Sequence, residues 1–346
     1  MTELEPLYAN EGVRLAPPGA PLPVLTHGDV PAEYEAARTG CAMFDRSNLG
    51  CLRIAGADAG AFLVRILASD VRGLPSGHAQ PSLLLTPKGK VQHAFDLVRE
   101  GDDLLAITEP GGAPGLAAAL DMYLFGEAVT LTDESGTWAW LDLVGPGTVQ
   151  VLAGTAPGQC LSFERAGHPV LAYGRPVAGS PGVRLRIARA GLAAVWQDLR
   201  TGGCRPAGLV VFDSLRAESV TAQWGVDLDD SVYPQEARLD DAFSLSKGCY
   251  IGQEVVAKID TYGGLNKRLH LLRVGDEDPV APGTRLFGAP ETPGGEARDL
   301  GVVTTWAWSF ALDGGVVLAY VKRKHQEPGT QFALGEGDRT ATIVEL

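Results

Sequence analysis

The chain has no Cys-x-x-Cys pair, no long apolar run and few basic residues, and each lack closes off a class of function. Its five cysteines, at positions 41, 51, 160, 204 and 249, are odd in number and widely spaced. That spacing indicates neither a disulfide framework nor a thiolate metal site, so no metal is expected and the reducing cytoplasm is the expected compartment. No apolar stretch approaches the roughly 18 residues of a membrane span. Residues 1–10 carry acids without a basic or apolar leader region, so neither a signal peptide nor a membrane partner is expected. Lys and Arg number 29 against 42 Asp and Glu, a formal net charge of −13. Phosphate contacts need clustered basic groups, so direct nucleic-acid binding is not expected. The cluster Lys322, Arg323 and Lys324 reads as a solvated strand end. No repeats or low-complexity tracts stand out.

What is there is a globular composition, 45% hydrophobic and 21% charged over 346 residues. That length suits two or three domains of about 100 residues each. Pro31 followed by residues 32–38 predicts a short helix ending at Gly40, and residues 57–67 an amphipathic helix with Phe62, Leu63, Ile66 and Leu67 on one side. Residues 82–85, 91–98 and 104–108 predict a three-strand meander. A helix follows over 115–123 and a strand over 139–144. Gly145 and Gly147 after that strand suggest a dinucleotide fingerprint, but its third glycine is replaced by Gln150. Residues 183–188 and 191–195 read as short strands, and 207–224 as largely helical. Beyond Tyr250, strands at 269–274, 302–308, 315–321, 331–334 and 340–346 suggest a small antiparallel barrel or sandwich.

The run Lys247, Gly248, Cys249, Tyr250, Ile251, Gly252, Gln253, Glu254 is the most informative segment. Gly252 reads as a helix start, with Val255, Val256 and Ile259 at helical spacing after it. A helix N-terminus together with Lys247 would favour a Cys249 thiolate. The alternative is that Cys249 is a small buried hydrophobe, as most free cysteines are.

This run resembles the signature of the YgfZ family, folate-binding relatives of the glycine-cleavage T-protein that include iron–sulfur assembly factors. Other matches lie in the family's order: Phe44-Asp45-Arg46-Ser47 with Gly50, Gly56-Ala57-Asp58-Ala59 with Phe62-Leu63, and Ser69-Asp70-Val71. Asp213-Ser214-Leu215-Arg216 with Glu218, Gly225-Val226-Asp227 and Pro234-Gln235-Glu236 complete them. The resemblance implies an α+β fold, a T-protein-like ring of three domains. Two would be ferredoxin-like: a discontinuous folate-binding domain of residues 1–52 and 137–245, and an inserted domain of 53–136. Residues 246–346 would supply the signature loop and a C-terminal antiparallel β-barrel.

The implied cofactor is tetrahydrofolate in a central channel. Glu218 would accept the pterin's adjacent N–H groups and Trp224 would stand beside the ligand. Lys247, Gly248, Cys249, Tyr250, Gly252, Gln253 and Glu254 would form the signature loop, with Cys249 as its reactive residue. The implied function is an accessory role in iron–sulfur cluster assembly or repair, with assembly proteins or cluster enzymes as partners, including enzymes that modify tRNA. The alternative is a tetrahydrofolate-dependent aminomethyltransferase or demethylase of an amine donor. Against that alternative, T-proteins carry an acidic pair where this chain reads His93-Ala94. Histidine near neutral pH is a poor stand-in for a carboxylate, and alanine is none. Asp96 is the nearest acid, on the strand face of Ala94 rather than His93.

Overall fold

A computed structural model describes residues 3–8, 12–149, 158–288, 297–335 and 337–345. Gln150 lies outside them. The chain divides into two compact units, one of residues 1–84, 93–212 and 241–251, the other of 85–92, 213–240 and 252–346. Among the described residues no helix is long and apolar enough to cross a membrane.

The first unit is built on two sheets. One takes strands in the order Cys160–Arg165, His168–Val177, Ser180–Ala188, Trp138–Val144, Ala42–Asp45 and Arg205–Ala207, antiparallel except for the final parallel pair. The other runs His78–Leu85, Val91–Glu100, Asp103–Thr108, Gly50–Ala55 and Thr130–Asp133.

Successive side chains on a strand face opposite ways, and here both faces are apolar. Leu52, Ile54, Leu97, Leu104 and Ala106 pack with Phe62 and Leu63 of the helix Ala59–Ile66 and with Leu116 and Leu120 of the helix Gly112–Asp121. The intervening Cys51, Val98, Leu105 and Ile107 meet Trp140 and Tyr173 of the six-stranded sheet. On that sheet's other face Ala139, Leu141, Leu143 and Ala172 pack against Leu192, Val195, Trp196 and Leu199. The result is four layers: helix, sheet, sheet, helices. Burying one Leu or Phe contributes roughly 1.5–3 kcal/mol, so the two-sided alternation holds the unit together.

The helix Leu192–Thr201 corrects the strand expected over 191–195. Its buried residues recur at three, four and seven positions, the period of a helix, and a five-residue apolar window is too short to show it. The helix Val30–Thr39 forms as expected, with the Asp29 carboxylate accepting from Ala32 N–H at its start. The meander and the strand Trp138–Val144 also form as expected.

In the second unit six antiparallel strands close a barrel: Lys267–Val274, Gly314–Lys322, Arg298–Ser309, Arg285–Gly288, Gln331–Leu334 and Thr340–Ile343. The last strand pairs back with the first, which leaves no open edge. Along Arg298–Ser309 the odd positions from 303 are buried and the even ones half-buried, matching the sequence alternation. Lys322, Arg323 and Lys324 are exposed where a strand ends. The α+β class with a C-terminal antiparallel barrel is the fold expected.

Candidate functional site

The second unit carries Glu218 and Trp224 on a segment pinned from inside. The helix Leu209–Glu218 ends in a turn that holds Arg216 and Glu218. Arg216 is buried; its guanidinium pairs with Asp227 and donates to Asp213 at 3.0 Å and to the Thr305 hydroxyl at 2.9 Å. Asp227, also buried, accepts from Gln223 N–H at 3.0 Å and Thr305 at 2.8 Å, and its carbonyl takes the Tyr320 hydroxyl at 3.0 Å. The chain from 219 to 228 is thereby fastened to the barrel strands. Burial raises the Asp213 carboxyl above its ordinary value, with the Arg216 guanidinium opposing.

Glu218 is half-buried, and its Oε1 accepts both the Ser309 hydroxyl at 2.8 Å and the Ala311 N–H at 3.0 Å. A carboxylate offers about four acceptor positions. Two donors on one oxygen therefore fix its plane. Trp224 is half-buried six residues on, in a backbone bridge with Leu228.

The turn 86–90, closed by Thr86 N–H to Lys90 O and Gly89 N–H to Thr86 O, both 2.8 Å, lies against residues 232–236. Lys90 Nζ sits 3.2 Å from the Tyr233 ring centre and 3.7 Å from Glu236. Burial lowers the Lys90 pKa, and Glu236 opposes that shift. Sequence reading gave Lys90 no part; the available signal was a lysine in a glycine turn ahead of a strand.

The helix Gln253–Tyr262 starts against the same turn. Gly252 has φ +78°, and a Cβ there would stand 2.5 Å from Thr86 O and 2.9 Å from Gly89 Cα. Only glycine fits both the left-handed backbone and that approach. Gln253 opens the helix half-buried, and exposed Glu254 pairs with Lys258 at 2.6 Å. Gln235 Nε2 donates to Val256 O at 3.0 Å.

The other signature residues, Lys247, Gly248, Cys249 and Tyr250, fall in the first unit. Lys247 donates to the carbonyls of Val64, at 2.8 Å, and Leu67, at the C-terminal end of the helix Ala59–Ile66. Helix C-termini attract cations. Burial nonetheless pulls the Lys247 pKa down to about 8. Those carbonyls engage its ammonium donors. Cys249 is exposed, which excludes the buried-hydrophobe alternative. Tyr250 is buried beneath Lys247, whose Nζ lies 5.2 Å from the ring centre. The Tyr250 hydroxyl has no hydrogen-bond partner among the described residues, and burial pushes its pKa up to about 12.

His93 is half-buried, and burial lowers its pKa, so the imidazole is neutral at pH 7. Asp96 accepts the Tyr173 hydroxyl at 3.0 Å and Arg184 at 3.1 Å, and pairs with Arg175. Arg184 in turn holds Asp142 through two 2.7 Å bonds. Burial alone would raise the Asp142 carboxyl, but Arg184 outweighs it and holds it below its ordinary value. This ladder lies in the layer between the two sheets, so Asp96 is already engaged and does not restore the acid missing at 93 and 94.

The family described as GCVT N-terminal domain matches residues 23–247. The chain belongs to that family. Similar proteins of known name span nearly its whole length. An aminomethyltransferase from Rubrobacter xylanophilus is 30% identical over 355 residues, 99% of this chain and 92% of the relative. One from Saccharopolyspora erythraea is 28% identical over 339 residues, 94% and 90% of the two chains. Among solved structures, the glycine cleavage system aminomethyltransferase T from Bartonella henselae superposes with a TM-score of 0.85 at 22% identity, covering 99% of this chain and 96% of that one. At that identity the superposition shows the fold alone.

These relatives overturn the accessory role in iron–sulfur cluster assembly or repair that the likeness to the YgfZ family implied. The motifs from Phe44 to Glu236 that carried the likeness fall within the GCVT N-terminal domain match, which covers most of the chain. The full-length similarity is to aminomethyltransferases, so the alternative reading is the better supported.

Proposed function

We propose that this chain is a tetrahydrofolate-dependent transferase of the aminomethyltransferase type, taking a one-carbon unit from an amine donor. Two things support the reading: the near full-length similarity to aminomethyltransferases, and the fixed carboxylate of Glu218, the observation that carries it. A pterin presents an amide N–H and an amino group side by side, and an ionised carboxylate accepts both in a charge-assisted pair. Trp224 offers a flat apolar face on the same segment. Folate is the partner this reading requires. The likeness of residues 247–254 to the YgfZ family remains a likeness of that loop and supplies no step.

The test is a tetrahydrofolate titration followed by tryptophan fluorescence, for which the chain has six tryptophans. Saturable binding is expected in the native chain. Glu218→Ala should weaken it by about 10- to 100-fold, since hydrogen bonds to a charged group contribute roughly 1.5–3 kcal/mol. Equal binding by both would remove Glu218 from the site and sink the proposal's main support. Methylenetetrahydrofolate formation from an aminomethyl donor then tests transfer.

A second reading, folate binding without transfer, is favoured by the engagement of Asp96 and the missing acids at 93 and 94. Tight binding with no product would establish it over the first.

A further inference from the structure

Cys41 and Cys204 lie 163 positions apart in sequence, yet their sulfurs are 3.1 Å apart in the first unit. Backbone pairing sets this approach. Ala42 stands opposite Arg205 in the parallel strand pair, and Arg205 N–H donates to Cys41 O at 2.8 Å, so the preceding residue of each strand faces its counterpart. A disulfide needs sulfurs at about 2.05 Å on neighbouring backbone positions. A closure of about 1 Å, within reach of side-chain rotation, separates the two states.

The pair is buried, with Cys41 6% and Cys204 1% exposed. Cys204, however, lies directly after an exposed turn of residues 201–203, in which Gly203 has φ +94° and no atom within 4 Å of where a Cβ would stand. The residue before Cys204 is thus open to solvent, while the sulfur pair itself lies beneath the surface. Arg165 lies along the turn, its Nη2 3.4 Å from the corresponding position on Gly202.

We propose that Cys41 and Cys204 are a reversible disulfide site, oxidised by exchange with a low-molecular-weight disulfide. In the first step the Cys204 thiolate attacks one sulfur of the reagent, forming a mixed disulfide and releasing one thiolate. Cys41 then attacks the Cys204 sulfur and releases the second. Two protein thiols are oxidised, one reagent disulfide is reduced, and the two thiol protons end on the two released thiols. The Cys41 S–H hydrogen bond and the charge of Arg165 both favour Cys204 as the thiolate, and the same contact raises Cys41. The bond ties the end of the helix Val30–Thr39 to the end of the helix Leu192–Thr201. Widely spaced cysteines gave no sign of this, because the pairing is made by strand register.

The experiment uses the full chain carrying Cys249→Ser, which removes the exposed thiol and leaves four of the five cysteines. After incubation with glutathione disulfide, thiols are counted under denaturing conditions and the digest is mapped by mass spectrometry. Expected are two remaining thiols, a linked peptide pair containing Cys41 and Cys204, and recovery of all four with dithiothreitol. Four thiols remaining, a link to Cys51 or Cys160, or a glutathione adduct on Cys204 that never resolves to the linked pair would each overturn the proposal. The same mapping on the native chain guards against a fold change in the variant.

Discussion

Replacing Gly252 with alanine separates two costs that glycine conceals. The first is conformational: at φ +78° an L-residue is strained by roughly 1–2 kcal/mol. The second is steric. The new Cβ would meet Thr86 O at 2.5 Å and Gly89 Cα and N at 2.9 and 3.0 Å, all backbone atoms that cannot rotate away. Forcing such an overlap costs roughly 1–3 kcal/mol in backbone shifts, so Gly252→Ala should destabilise the second unit by about 2–5 kcal/mol in all. Gly225 supplies the control. Its φ is +77°, almost identical, and a Cβ there would meet nothing within 4 Å. Gly225→Ala should therefore show the conformational cost alone. The assay is urea unfolding of both variants, with amide exchange read at Gly89, whose N–H bond to Thr86 O the clash would disturb. If the two variants lose the same stability, or if Gly89 exchange is unchanged in Gly252→Ala, the steric argument fails.

The ladder between the sheets makes a second prediction. Asp142→Ala should cost about 3 kcal/mol, because it removes two 2.7 Å bonds from a buried guanidinium that keeps its 3.1 Å bond to Asp96, and the double variant Asp142→Leu with Arg184→Met should recover part of that loss; a single variant with unchanged stability in chemical denaturation would show the pair to be dispensable. A third concerns acid. Burial, together with the Arg238 and Arg268 charges, pushes the His270 pKa down to about 4 from an ordinary 6.5. A folded-state pKa below the unfolded one means the unfolded chain binds the extra proton first, so this stability is full above about pH 6.5 and is lost as pH falls toward 4. Urea midpoints across that window should fall more steeply for the native chain than for His270→Gln, and parallel slopes would contradict the assignment.

Much of the layered unit was legible locally. The helix Ala59–Ile66 declared itself through Phe62, Leu63 and Ile66, and the barrel strand Arg298–Ser309 through its alternation. What escaped lacked such a pattern. Cys160–Arg165 is a sheet edge with mixed exposure, Arg285–Gly288 has four residues, and Leu192–Thr201 shows its period only over eight or more positions. At the site, Gly252 was visible as a glycine, but its reason, Thr86 O, lies far back in the chain. Glu218 came from resemblance, since nothing in the local sequence shows that Ser309 and Ala311 would hold it. Asp96 read as a spare acid because its partners Tyr173, Arg175 and Arg184 arrive from distant strands.

The strand Val91–Glu100 is clamped at Asp96 by those three partners, whatever side chains stand at 93 and 94. The anchor of the strand and the two positions where T-proteins carry acids therefore stand two and three residues apart. Substitutions at 93 and 94 can accumulate, or be reversed, without the sheet sliding out of register. A lineage could vary those two side chains while its folding remained untouched.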